Sequence, residues 1–291
     1  MKKWIAWALV TALLTFPAFR SEAAEPPVLA LGADLSESQR AVVFSEMGIT
    51  EEEAASYQTV YITNDMEHQY LDDSLGASVV GRHSLSSVLL IPQESGAGLS
   101  VETHNINYCT IAMYRNALLT AGVSDAKVIV AAPSSISGTA ALIGAVKAYE
   151  AYSGVPVNED AFSVATDELV LTGELVDELD SEQVSDLIAY LKQQIAENGK
   201  DDPDKLPEAL RQAAAEMDVT LTDEQVSKIV DLLLKLSKLE IDAGKMVSQA
   251  KELYDKLDSL GIDLSTEKVG NFITRFVSSV WDLIQNFMSR D

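Results

Sequence analysis

The spacing of apolar residues changes character once along this chain, at Val155-Pro156, and that change bounds what it can fold into. From Val28 to about Gly154, short β-branched runs alternate with stretches of helical period, which is the mark of a mixed fold. Beyond Pro156 the strand-forming runs thin out and apolar residues recur three and four apart. Val184, Leu187, Ile188, Leu191 and Ile195 form one stripe, and Val226, Ile229, Val230, Leu233 and Leu236 form another. The same pattern runs on from Val247 to Leu257 and from Val269 to Phe287. The sequence therefore predicts an α+β chain: a sandwich-like mixed α/β domain over residues 25–154, then an acidic all-α helical bundle over residues 155–291.

Local signals agree with that division. Val28–Leu31 and Thr59–Ile62 read as short strands, and capping boxes run from Ser36 to Gln39, Thr50 to Glu53 and Asn64 to Glu67. Gly48 and Gly122 stand where a helix ends in a left-handed residue. Ser86–Ile91 and Leu99–Ile106 are β-rich and flank Glu94-Ser95-Gly96-Ala97-Gly98, so they predict an antiparallel hairpin. A helix over Thr110–Ala121, a strand over Ala126–Ala132 and a helix from about Ser137 to Tyr152 follow. Further helix starts recur at Asp180–Gln183 and Thr222–Gln225, with an exposed loop from Asn198 to Pro207.

The first two dozen residues give an address. Lys2 and Lys3 precede an apolar run from Trp4 to Phe19, and Ser21-Glu22-Ala23 puts small residues at the positions a signal peptidase reads. The run is short and interrupted by Pro17, so residues 1–23 are expected to be a cleaved signal peptide rather than a membrane anchor. The formal charge of −24 becomes −26 when three bases and Glu22 leave with the leader. Such acidity argues against nucleic acid and anionic lipid as partners and keeps an exported protein soluble. Cys109 is the sole cysteine, so no internal disulfide forms and no lipid attaches at the leader's end.

Candidate chemistry is sparse. Ala131-Ala132-Pro133-Ser134-Ser135-Ile136-Ser137-Gly138-Thr139 follows a strand and opens a helix, where hydroxyls and free N–H groups can cradle a small anion. Ser134, Ser135, Ser137, Gly138 and Thr139 are thus the candidate ligand-binding residues; the plainer alternative is that Ser135 or Ser137 only caps the helix. Cys109 lies five residues after His104, but a lone cysteine is more often a small buried hydrophobe than a nucleophile. His68, His83 and His104 are scattered without metal-ligand spacing, and Asp201-Asp202-Pro203-Asp204 lacks the glycine and final glutamate of a calcium loop, so neither metal nor cofactor is expected. Near the carboxyl terminus, Phe272, Phe276, Trp281, Phe287 and Met288 form a broad apolar face, an interaction surface if it is not core.

Several short motifs carry a resemblance in combination. Leu31-Gly32-Ala33-Asp34-Leu35-Ser36, Gly81-Arg82 leading to Ser86-Ser87, Asn105-Ile106-Asn107, Met113-Tyr114-Arg115-Asn116-Ala117-Leu118, Ala121–Ala126 and Ala131–Leu142 occur in that order. With them the chain resembles exported Gram-positive bacterial proteins grouped as domain of unknown function 1002, over nearly its whole mature length. The resemblance implies an envelope or extracellular setting and brings no activity or catalytic residue. The expectation is a non-enzymatic binding or scaffold protein of the cell envelope, with an envelope protein or wall component as partner. Its rival is a hydrolase or transferase acting on wall material through some of Arg82, His83, His104 and Ser135, which would have to converge on one pocket.

Overall fold

The structure is a computed structural model that describes residues 25–72, 80–179, 183–198 and 206–239. The expected leader, the predicted loop around Asp201–Asp204, the predicted apolar face with Phe272, Phe276, Trp281 and Phe287, and the predicted helix start at Asp180 lie outside the described residues. Five strands form one mixed sheet: β1 (Val28–Gly32), β2 (Gln58–Ile62), β3 (Ser87–Pro92), β4 (Leu99–Ile106) and β5 (Ala126–Ile136), in the spatial order β2-β1-β3-β5-β4. β1 and β2 are parallel, as are β4 and β5, while β3 runs antiparallel to both of its neighbours. With nine described helices around it, the chain is α+β as its sequence predicts.

The expected hairpin is not formed. β5 lies between β3 and β4 and pairs with both. Its apolar centre explains the insertion: Val128 and Val130 enter one core, Ile129 and Ala131 the other, so every residue of that stretch is buried. A hairpin would have left β5 with one unpaired edge, whereas the central position satisfies both. Asp125, at the entry to β5, ties the β3–β4 loop in place. Its carbonyl accepts from Gln93 N (2.7 Å), and its Oδ1 accepts from Gly96 N and Gly98 N (3.0 Å each).

Helices α1 (Glu37–Met47) and α2 (Glu51–Ser56) cover one face of the sheet around Leu29, Leu31, Phe44 and Leu89. Their boxes form as expected, Ser36 with Gln39 and Thr50 with Glu53. Helix α3 (Asn64–Leu71) starts one residue earlier than its predicted box, because Thr63 caps it by accepting from Met66 N at 3.2 Å. Glu67 is thereby one residue beyond the position that reaches back to a cap. Helix α4 (Ile111–Thr120), closed at Gly122, and helix α5 (Thr139–Ser153) cover the other face.

The second half is helical throughout the described residues: α6 (Glu159–Leu179), α7 (Gln183–Asn198), α8 (Leu206–Glu216) and α9 (Asp223–Leu236). Helix α6 belongs to two cores. Phe162, Ala165 and Leu169 pack under the sheet, while Val164, Leu171 and Leu175 pack with Leu187, Ile188, Leu210 and Ile229. Between α4, α6 and α7 lies a buried ion pair, Lys192 Nζ to Glu168 Oε1 at 2.6 Å. Lys192 Nζ also donates to the Asn116 carbonyl (2.7 Å) and Thr120 Oγ1 (3.0 Å), and Thr120 donates to the other Glu168 oxygen. Burial pulls the Lys192 pKa down, while Glu168 and its hydrogen bond hold it up. Asn116 Nδ2 donates to the Ser185 carbonyl at 3.0 Å, so polar bonds as well as apolar contact join the two halves.

Candidate functional site

Because β1, β2, β4 and β5 point the same way, their carboxyl ends share one edge of the sheet, and α1, α3, α4 and α5 all begin there. This is where open α/β sheets bind ligands, and it contains the predicted segment at residues 134–139. Strand β5 continues through Ile136, so Ser134 and Ser135 are exposed residues of its end. The carbonyls of Ile136 and Ser137 accept from Asn107 N (2.9 Å) and Cys109 N (3.1 Å). Neither predicted serine caps α5. The cap is Gly138, in the left-handed conformation at φ 89° and without a side-chain bond. A side chain is barred there twice over, by that φ and by Ile106 Cγ2, which a Cβ would meet at 2.8 Å.

The start of α5 is occupied from within. Thr139 Oγ1 donates to Glu67 Oε2 at 3.1 Å, and the Tyr114 hydroxyl donates to the Gly138 carbonyl at 2.5 Å. The carboxylate that faces the positive end of this helix is the chain's own. Glu67 is 1 % exposed, and burial raises its pKa to about 6 against the lowering pull of Thr139, Ser84 and Asn64. Glu67 Oε1, Ser84 Oγ and Asn64 Nδ2 are buried yet complete no hydrogen bond among the described residues. Ser84 is held by its backbone, its N–H donating to Asp34 Oδ2 at 2.7 Å and its carbonyl accepting from Asp34 N at 3.2 Å.

The other sequence candidates do not converge. His83 Nδ1 lies 4.0 Å from Asp34 Oδ2, just beyond β1, with its side chain 71 % exposed. His104 lies on β4 with Nδ1 3.5 Å from Glu46 of α1. Three strand spacings, roughly 14 Å, separate β1 from β4. Cys109 belongs to the core on the side opposite α1, so His104 and Cys109 are on different faces of the sheet. Burial pushes the Cys109 thiol up to about 12, which keeps it protonated and poorly nucleophilic. Among the described residues no cluster of three or more His, Cys, Asp or Glu side chains could hold a metal, and no helix is long and apolar enough to cross a membrane.

Sequence reasoning missed Glu67 and the Glu168–Lys192 pair. Placing the cap at Asn64 assigned Glu67 to a surface box; with Thr63 as cap it turns inward. Lys192 stands four residues after Ile188, and Glu168 four after Val164, so each interrupts a buried apolar stripe. A charge at such a position is a readable sign of a buried partner.

Residues 31–253 match the family described as "Protein of unknown function (DUF1002)". The chain belongs to this family. Over 292 aligned residues, covering 98 % of both chains, this DUF1002 protein is 39 % identical to the uncharacterized protein YpuA of Bacillus subtilis (strain 168). No solved structure matches it. Three residues of the motifs that carry the resemblance hold the framework of the sheet edge: Asp34 fixes Ser84, Tyr114 fixes Gly138, and Asn105 Nδ2 donates to the Ala132 carbonyl at 3.0 Å.

Proposed function

We propose that this DUF1002 chain is an exported, non-enzymatic binding or scaffold protein of the bacterial cell envelope. The observation that carries the reading is the dispersal of its ionisable groups. Glu67 faces Thr139, Glu168 faces Lys192, and His83 and His104 stand on separate carboxylates roughly three strands apart. Reacting groups of a hydrolase would converge on one volume; here the buried pairs join helix to helix and the two histidines stand apart. The leader-like residues 1–23 and the charge of −24 support export and solubility outside the cell.

Purified cell walls incubated with the secreted chain provide the test. The chain should sediment with the walls and release no soluble wall fragments, and its mass should correspond to loss of the leader. Release of fragments that grows with time would replace the binder with the hydrolase or transferase. The narrower form, an anion or peptide terminus at Ser134–Thr139, would have to bind beside Glu67, which already faces the start of α5, and is checked by melting the chain with millimolar phosphate, sulfate or acetate. A ligand that binds only the native form must raise its melting temperature.

A further inference from the structure

Helix α1 lies over β5, and α2 is only six residues long, so β1 is buried while the same face of β2, at the end of the sheet, is incompletely covered. A cleft of about 330 Å³ opens there, floored by Leu29, Leu31, Phe44 and Ala54. Thr59 and Tyr61 of β2 point to this face, opposite Leu29 and Leu31 of β1, and Tyr61 is 57 % exposed. Strand β2 is also terminal: among the described residues it pairs with β1 alone. An unpaired strand edge beside an open apolar cleft is a ready template for an added strand.

We propose that β2 and this cleft bind an extended, cationic polypeptide segment that adds a sixth strand to the sheet. Every second side chain of such a strand falls on the face of Thr59 and Tyr61, where the apolar stems of basic side chains lie along the cleft and their charged heads reach Glu37 and Glu51. The charge of the partner follows from the rim. Glu37 and Glu51 line the cleft against a single Arg40, so its rim carries a net negative charge. A second copy of this chain, at −24, would be repelled, whereas a basic segment is drawn in. The proposal deepens the reading of a binding protein by giving it a site and a partner chemistry.

The test titrates the full chain with a nine-residue peptide of alternating lysine and valine. A block isomer of the same composition and an analogue with glutamate for lysine serve as comparisons. The alternating peptide should protect the amides of residues 58–62 from hydrogen exchange and bind at least about tenfold more tightly than either comparison. Tyr61→Lys and Glu51→Lys should each weaken it about tenfold at unchanged melting temperature, and Glu208→Lys, on α8, should not. Equal binding of the block isomer, protection elsewhere, or indifference to both cleft variants overturns the proposal. Binding seen only after truncation behind Thr266 also overturns it, by making the chain's own carboxyl-terminal segment the occupant. Wall association that persists while the peptide fails to bind sinks the site and leaves the binding protein standing.

Discussion

Replacing Glu67 by glutamine isolates the cost of a buried charge. The carboxyl has an ordinary pKa of 4.5, raised to about 6 by burial even though the polar groups of Thr139, Ser84 and Asn64 pull the other way. A group whose pKa rises on folding stabilises the fold most when protonated. That contribution is complete below pH 4.5 and is lost as the pH climbs through about 6. The interval between the two values corresponds to roughly 2 kcal/mol. Glutamine keeps the shape, can still accept from Thr139 Oγ1, and brings an N–H₂ toward Ser84 Oγ, which completes no hydrogen bond among the described residues. Urea unfolding of both chains between pH 4 and 8 should show Glu67→Gln more stable by about 2 kcal/mol at pH 8. The advantage should shrink to near zero below pH 4.5, and subtracting the two curves removes the many other carboxylates. A variant less stable at pH 8, by an amount that does not change with pH, would refute the reasoning, because the ionised Glu67 would then be favoured by the fold.

Lys192→Met leaves Glu168 charged and buried without its cation, and should destabilise the chain by about 3–5 kcal/mol; adding Glu168→Leu should recover much of that in the same unfolding assay. Cys109 should resist iodoacetamide at pH 8 in the native chain and react once urea unfolds it, which mass spectrometry reads directly; rapid native labelling would contradict the raised thiol pKa. Gly32→Ala should destabilise by about 3 kcal/mol or more, because its Cβ would collide with the Ser84 carbonyl and approach Leu85 Cα to 2.8 Å. The lost melting temperature is the measure, and Gly48→Ala, strained only by its φ of 72°, should lose less.

The candidate site was only partly legible in the sequence. Ser134–Thr139 was recognisable as a strand-to-helix junction, since that depends on residues adjacent in the chain. The carboxylate that occupies it arrives from Glu67, seventy-two residues away, and no local pattern encodes that meeting. The same holds for Lys192, whose partners Glu168 and Asn116 stand 24 and 76 residues off. The cleft beside β2 was invisible for a related reason: it exists because α1 settles over a different strand.

What the chain determines by itself is local. Ser36, Thr50 and Thr222 open helices because their hydroxyls satisfy backbone N–H groups three residues on, and the change of apolar period after Pro156 dictates helices whatever they pack against. The order of the strands was decided only in three dimensions. Both edges of Val128–Ala131 had to find partners and both faces had to leave water, so β5 moved between β3 and β4 and broke the hairpin their sequence invites. Tertiary packing likewise turned Glu67 inward, spending on the framework a carboxylate that its own neighbourhood in sequence would have left in solvent.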